Sequence, residues 1–275
     1  MKRSVDVCVI SDVHLGTSAC RAAELNAYLK SIVPARLVLC GDIIDMWRLR
    51  SAQWSEAQTK VVRRILKFAA QGVPVHYVCG NHDEALRRYA PFAAGAVELV
   101  DRLELDLAGR KTWFIHGDVV EMLLGTPRWL SRLGSFSYDT LETLSGWINR
   151  VRGWFGASKV SLATRFKDHL PAARRHVTRF EEAVAGVAAR AGYAAVVCGH
   201  IHVAAKRTIT VDGKTVEYLN SGDWVDSLSA LEFAEGAWQV VRWHDLVESG
   251  LVQPPRPADD ALEETVAAAA GTSAA

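Results

Sequence analysis

Five short apolar runs in this chain end alike, each in a turn that carries Asp, Asn or His. Residues 5–10 lead into Ser11-Asp12-Val13-His14, and Leu37–Cys40 leads into Gly41-Asp42-Ile43-Ile44-Asp45. Residues 73–78 lead into Cys79-Gly80-Asn81-His82-Asp83, residues 112–115 into His116-Gly117-Asp118, and residues 194–198 into Gly199-His200-Ile201-His202. Apolar runs of this length, bounded by Gly turns, read as buried strands. In an open α/β sheet the C-terminal ends of the strands lie along one edge, where ligands bind. One such ending is an ordinary strand-to-turn junction. Five in order are hard to reconcile with a core role, because ionisable groups are rarely buried without partners. The pattern predicts an α/β chain with one polar, ligand-bearing edge.

The segments between the runs fit that architecture. A helix is expected over residues 21–33, stopped by Pro34. A second is expected over residues 54–71, with Val61, Ile65, Phe68 and Ala69 at helical spacing and Gly72 as its stop. The first eighty or so residues therefore read β-α-β-α-β, a parallel arrangement with right-handed crossovers. A short helix at Glu84–Tyr89 and strands at Val97–Val100 and Leu103–Leu107 follow, and the strand delivering His116 resumes the sheet. Beyond His202 the period changes to two, over residues 206–211, 215–219, 228–233 and 238–243, with Asp212-Gly213 as a hairpin turn. That is the pattern of an antiparallel set completing the core.

Residues 119–191 differ in character. Leu130, Leu133, Leu141, Leu144, Ile148, Val151 and Phe155 recur at helical spacing, and Trp129, Trp147 and Trp154 add bulk. A further helical stretch over residues 159–191 contains Pro171 and should bend or break there. The organisation expected is a core of residues 1–118 and 192–248, a helical cap insertion of residues 119–191 over the ligand edge, and a disordered tail of residues 249–275, rich in Pro, Ala and acidic residues.

Composition narrows the function classes. The 275 residues carry a formal net charge of +1, which points neither to a nucleic-acid binder nor to an acidic protein. No apolar run is long enough to span a bilayer, and the N-terminus enters a strand without a signal-peptide pattern, so a cytoplasmic location is expected. The five cysteines, Cys8, Cys20, Cys40, Cys79 and Cys198, form no CxxC pair, and an odd count fits a reducing compartment. Cys40, Cys79 and Cys198 each come just before the Gly of a ligand turn, where a small side chain packs beneath a site.

Asp12, His14, Asp42, Asn81, His116, His200 and His202 offer oxygen and nitrogen donors. One ion rarely takes so many; two divalent ions sharing Asp42 would use them all. The set contains no thiolate, which disfavours structural zinc. It suits Mn2+ first, with Fe, Co2+ and Zn2+ as alternatives. Two ions roughly 3.5–4 Å apart clamp a phosphoryl group and lower the pKa of a bridging water, which becomes the nucleophile. His82 is left over from the ligand set and is placed to protonate a leaving oxygen, with Asp45 holding its imidazole.

Asp-x-His, Gly-Asp-x-x-Asp, Gly-Asn-His-Asp, His-Gly-Asp and Gly-His-x-His, in that order, resemble the calcineurin-like metallophosphoesterase superfamily over roughly residues 5–245. The resemblance implies an α/β fold of the four-layer type, a β-sandwich flanked by helices, here with a helical cap insertion. It implies Asp12, His14, Asp42 and His202 around one metal, and Asp42, Asn81, His116 and His200 around the other. The insertion, with Phe180-Glu181 leading towards the last motif, resembles the UDP-2,3-diacylglucosamine pyrophosphatase branch, and Asn220-Ser221-Gly222-Asp223-Trp224 fits broader relatives of that branch. That branch implies cleavage of the pyrophosphate of a UDP-linked acylated glucosamine, of the lipid A precursor type. The lipid A enzymes typically carry Arg where this chain has His82 and Thr where it has Ile201.

Other readings stay open. The chain would instead be a phosphodiesterase or phosphatase for another small phosphoester. A nuclease would call for a more basic groove. A non-catalytic scaffold is disfavoured because every ligand and His82 are present. Arg165, Lys167, Arg174, Arg175 and Arg179 would grip a pyrophosphate or form a solvated helix face. The apolar stripe Leu141, Leu144, Ile148, Val151 and Phe155, flanked by Trp147 and Trp154, would pocket acyl chains. The same surface would let the protein touch the inner face of a membrane without spanning it. A small-molecule or glycolipid phosphoester is the partner expected, and no nucleic acid.

Overall fold

Residues 2–48, 54–124 and 171–255 are described by the computed structural model. The expectations for residues 130–155, the three tryptophans of the insertion, Arg165 and Lys167 lie outside these residues.

The strands are β1 (Arg3–Val5), β2 (Val7–Ile10), β3 (Ile32–Pro34), β4 (Leu37–Cys40), β5 (Val75–Val78), β6 (Phe92–Ala94), β7 (Val97–Val100), β8 (Leu103–Leu107), β9 (Arg110–Phe114), β10 (Ala195–Cys198), β11 (Ala205–Val211), β12 (Lys214–Asn220), β13 (Ser229–Ala234) and β14 (Ala237–Arg242). The helices are α1 (Ala22–Lys30), α2 (Glu56–Ala70), α3 (Asp118–Leu123), α4 (Pro171–Ala191) and α5 (Trp243–Glu248). Seven strands form one sheet in the order β14-β13-β2-β4-β5-β7-β6, and five form a second in the order β11-β12-β10-β9-β8. The neighbours from β2 through β7 run parallel, as do β9, β10 and β12.

Alternation along the strands sorts the side chains into layers. On the seven-stranded sheet, Val7, Val9, Val38, Cys40 and Val78 point one way. They meet Phe114, Ala195, Val197 and Leu219 of the five-stranded sheet, forming a shared core between the sheets. Their neighbours Cys8, Ile10, Leu37, Leu39 and Val75 point the other way, against Leu25, Tyr28 and Leu29 of α1 and Val61, Ile65 and Phe68 of α2. On the outer face of the five-stranded sheet, Val196, Cys198, Val216 and Tyr218 pack on Phe180, Val184, Ala188 and Ala189 of α4. The result is four layers, helix–sheet–sheet–helix, as the motif resemblance implied. α2 begins where the Ser55 side chain accepts from the Gln58 backbone N–H at 3.3 Å. It stops before Gly72, whose φ of +83° turns the chain.

Several expectations need correction. The strand delivering His116 does not resume the first sheet: β9 and β10 belong to the second. The ligand-bearing edge is therefore shared by two sheets, not drawn from one. The strands beyond His202 are not one antiparallel set either, since β12 pairs in parallel with β10 while β13 pairs with β2. Four-residue apolar runs look alike in either sheet, so periodicity does not say which sheet takes them. The first strand breaks at Asp6 into β1 and β2, and β1 pairs with β3. Helix α1 ends at Lys30, short of the expected Val33, because β-branched Ile32 and Val33 and then Pro34 form β3. The bend or break expected at Pro171 falls at the edge of the described residues, from which α4 runs onward. Residues 249–255, assigned to a disordered tail, are described and bury Val252 in the core; residues 256–275 lie outside the described residues.

Candidate metal centre

The turns after β2, β4, β5, β9 and β10 converge on one edge of the sandwich. The first two are zipped together by backbone hydrogen bonds. Asp12 N–H donates to Gly41 O (3.1 Å), and Val13 and His14 N–H both donate to Asp42 O (3.0 Å each). On the other sheet Gly199 N–H donates to His116 O at 3.1 Å. The two sheets are stitched where His200 N–H donates to Asp12 Oδ2 (3.0 Å) and His116 Nδ1–H donates to Cys40 O (3.0 Å). Glycine is required at these crossings. A Cβ at Gly41 would strike the His116 ring, one at Gly80 would strike Asp42 Oδ1, and one at Gly199 would strike Asp12 Oδ2 and Ser11 Oγ.

The backbone is strained where the donors sit. Asp12 (φ 51°), His14 (52°), Asp42 (54°), His200 (73°) and His202 (56°) all lie in the left-handed region. Non-glycine residues seldom adopt it, and such strain gathers at functional sites.

The expected donors fall into overlapping groups. Asp12, His14 and His202 form one, Asp12, Asp42 and His116 a second, and His14, Asp45 and His82 a third; within each, the ligand atoms lie within 4.8 Å of one another. Asp12 Oδ2 is taken by Ser11 Oγ–H (2.5 Å) and His200 N–H. Its Oδ1 is buried without a hydrogen-bond partner and lies 3.2 Å from His202 Nε2. Asp42 Oδ1 accepts from His82 N–H at 2.8 Å, while Oδ2 lies 3.2 Å from His116 Nε2. Because Nδ1 of His116 donates to Cys40, its Nε2 is the atom turned towards Asp42 and towards Asn81 Oδ1, 3.1 Å away. His14 and His202 bring their Nε2 atoms within 3.4 Å of each other.

Electrostatics bind these groups together. Burial raises the Asp42 carboxyl, yet the charge and hydrogen bond of His116, with His82 and His14 nearby, hold it well below the usual range. Asp12 behaves likewise: burial opposes ionisation, but His202 brings it down to about 2. His116 is the counterpart, lowered by burial but raised well above its ordinary value by Asp42. These donors fit a divalent cation. Ionised carboxylates and imidazole nitrogens converge, and the buried Asp12 Oδ1 lacks the hydrogen-bond partner such an oxygen normally finds.

His82 and Asp45 are brought together as expected. His82 Nδ1 lies 3.1 Å from Asp45 Oδ2, without the alignment of a hydrogen bond, and Asp45 Oδ2 also lies 3.7 Å from His14 Nδ1. Trp47 covers the His82 ring, with centroids 3.8 Å apart and planes inclined at 32°. His200 is placed differently from the other expected ligands. Its ring stands edge-on to His116 at 5.1 Å, but its Nε2 lies 2.5 Å from Glu121 Oε2, and it joins none of the three groups.

Glu121, Trp47 and Asp223 were not singled out as site residues. Asp223 is fully buried, and its unpartnered Oδ2 lies 3.8 Å from His202 Nδ1. The Ser-Gly-Asp-Trp string around it was the one available signal; Glu121 and Trp47 reach the site only through the fold. Asp83 and Asp118, though inside the motifs, do structural work. Asp83 accepts from Ile43 N–H (2.9 Å) and Tyr77 O–H (2.6 Å), and Asp118 is paired with Arg87 at 2.8 Å.

Residues 5–204 match the family model described as calcineurin-like phosphoesterase. Curated relatives carry the name UDP-2,3-diacylglucosamine hydrolase. The one from Nitrosococcus oceani is 27% identical over 81% of this chain and 88% of its own length. That from Xanthomonas axonopodis is 28% identical over 83% of this chain and 95% of its own length. The Neisseria gonorrhoeae protein is 37% identical, but over 40% of this chain and 48% of its own. Among the described residues, no helix is long and apolar enough to cross a membrane.

Proposed function

Because the chain belongs to the calcineurin-like phosphoesterase family, it is a metal-dependent hydrolase of phosphoric esters or anhydrides, and we propose that it cleaves the pyrophosphate of a UDP-linked acylated glucosamine. The observation behind the chemistry is the overlap of carboxylate and imidazole groups around Asp12 and Asp42. The substrate class rests on relatives bearing the UDP-2,3-diacylglucosamine hydrolase name across nearly their whole length.

In this reading Asp12, His14, Asp42 and His202 hold one ion, and Asp42, Asn81, His116 and His200 hold the other. Two ions bound there supply Lewis-acid polarisation of a phosphoryl oxygen and a water of lowered pKa. Asp42 Oδ1 is tied to the His82 backbone, which fixes the face that Oδ2 presents. His82 carries the proton for the leaving oxygen at Nε2, Asp45 faces its Nδ1, and Trp47 keeps the ring from turning. Residues 1–118 and 192–248 form the catalytic core together with α4, which packs on the five-stranded sheet, and the cap that receives the acyl chains would be drawn from the remainder of the expected insertion of residues 119–191. The chain would meet its lipid at the inner face of a membrane through that cap. A second reading, hydrolysis of another small phosphoester, is favoured by one feature, the imidazole of His82 where lipid A enzymes typically carry Arg.

The test compares kcat/KM for UDP-glucosamine with and without acyl chains. Each methylene buried contributes about 0.8 kcal/mol. Even two methylenes should therefore raise kcat/KM about tenfold for the acylated substrate. Equal efficiency on both would remove the lipid assignment and leave the smaller phosphoester.

A further inference from the structure

Glu121 lies on α3, where the chain leaves the core after His116, and the residue is almost buried at 9% exposure. Its two oxygens serve different partners. Oε2 is 2.5 Å from Nε2 of His200, and Oε1 is 3.1 Å from Nε2 of His176 on α4. The His200 ring is hemmed in on other sides as well. His116 meets it at 5.1 Å between centroids and Phe180 at 5.9 Å, and its backbone N–H is fixed on Asp12. A Cβ on Gly117 would press on Phe180 and on Cβ of His200, so the packing tolerates no added bulk there.

A carboxylate on one imidazole nitrogen decides where the proton goes. With Oε2 accepting at Nε2, the hydrogen resides on Nε2 and the lone pair on Nδ1. The ring is held against His116, so Nδ1 is the atom it has left to offer a cation.

We propose that Glu121 is a positioning residue: it fixes His200 as the Nε2–H tautomer, leaves Nδ1 as the donor to the second ion, and ties that imidazole to α4 through His176. The proposal rests on the assignment of His200 to the metal centre and deepens it. One carboxylate thereby couples a ligand to α3 and α4, the two helices that flank residues 125–170 in the sequence.

The experiment uses the full chain, stripped with chelator and titrated with Mn2+. Both dissociation constants are measured by electron paramagnetic resonance, and the His200 tautomer is read by 15N NMR before Mn2+ is added. Glu121→Ala is expected to weaken the second Mn2+ by about 10–100-fold, leave the first unchanged, and let the His200 proton redistribute. Glu121→Gln, nearly isosteric, guards against misfolding. Its amide oxygen still accepts from Nε2–H, so it should restore the tautomer and part of the affinity. His176→Ala, at an exposed position, should weaken the second Mn2+ less than Glu121→Ala does. Unchanged Mn2+ binding in His176→Ala would overturn the link to α4. Glu121→Ala with both Mn2+ affinities and the His200 tautomer unchanged would overturn the proposal, while His200→Ala still weakening the second ion would keep the metal assignment. If His200→Ala leaves both ions unaffected, the metal assignment itself falls, and the proposal with it.

Discussion

The turns of the seven-stranded sheet and those of the five-stranded sheet bring different chemistry to a common edge. The first sheet contributes the oxygen donors Asp12, Asp42, Asp45 and Asn81, together with His14 and His82. The second contributes His116, His200 and His202, and the carboxylate in its own His-Gly-Asp turn, Asp118, is occupied by Arg87. Neither sheet alone carries a set that would neutralise and ligate two ions. What joins them is the apolar layer between the sheets, in which Val9, Val38 and Val78 face Phe114, Ala195 and Val197. Its packing sets the register at which Asp42 meets His116. A close-packed interior tolerates little slippage, so the spacing of the donors is inherited from hydrophobic packing some residues away.

The sharpest way to break this comparison is to remove the carboxylate that faces across the sheets. Asp42→Ala should lower Mn2+-dependent hydrolysis of an aryl phosphodiester by at least about 10³-fold, since several kcal/mol of charge stabilisation go with it. Added chelator should do the same reversibly. Turnover within tenfold of the unaltered chain would end the shared-ion reading.

A smaller effect is expected inside the oxygen-donor half. His82→Ala should keep its metal content and slow turnover by about 10²–10⁴-fold. The loss should shrink as the leaving group becomes more acidic, because a good leaving group needs no proton. An equal loss across leaving groups would assign His82 to substrate placement.

The smallest effect separates the two halves by pH in chelator-stripped protein. Asp42 and Asp12 have depressed folded values, so their contribution is present above about 3.9 and lost as pH falls through those values. His116 has a raised folded value, so its contribution is complete below about 6.5, declines above it, and is lost as pH rises through the raised folded value. Both are in force between roughly pH 4 and 6.5. The stripped chain should therefore melt highest in that window and lower towards pH 9, with Tm moving about 2–4 °C per kcal/mol. Saturating Mn2+ should flatten the alkaline decline by taking the place of protons. A Tm that climbs from pH 5 to 9 in the stripped protein would contradict the pairing of Asp42 with His116.

The site was easier to read from the sequence than the assembly of the sheets. Asp12, Asp42 and His116 announce themselves because each lies within two residues of the end of an apolar run, in a turn whose chemistry is local. The choice of sheet is not local. Val196 and Val38 stand in equivalent-looking runs, yet Val196 lies in the second sheet under α4 while Val38 lies in the first and faces the layer between the sheets. The end of α1 was misjudged because Ile32 and Val33 continue the apolar count while their branched side chains favour an extended chain. Glu121 was invisible for another reason. A glutamate on a short helix has no signature until the fold puts His200 and His176 on either side of it.

The left-handed backbone at Asp12, His14, Asp42, His200 and His202 bears on any attempt to improve this chain in the laboratory. A side chain held in that region costs about 1–2 kcal/mol relative to the ordinary helical basin. Glycine would recover much of this, less its own greater loss of freedom on folding. At His202, whose side chain is 28% exposed, glycine would therefore toughen the chain while removing a donor. Selection for heat resistance alone should enrich glycine at the positions the chemistry needs most. Directed evolution of this protein has to couple survival to turnover, or it will converge on a sturdy and inert sandwich.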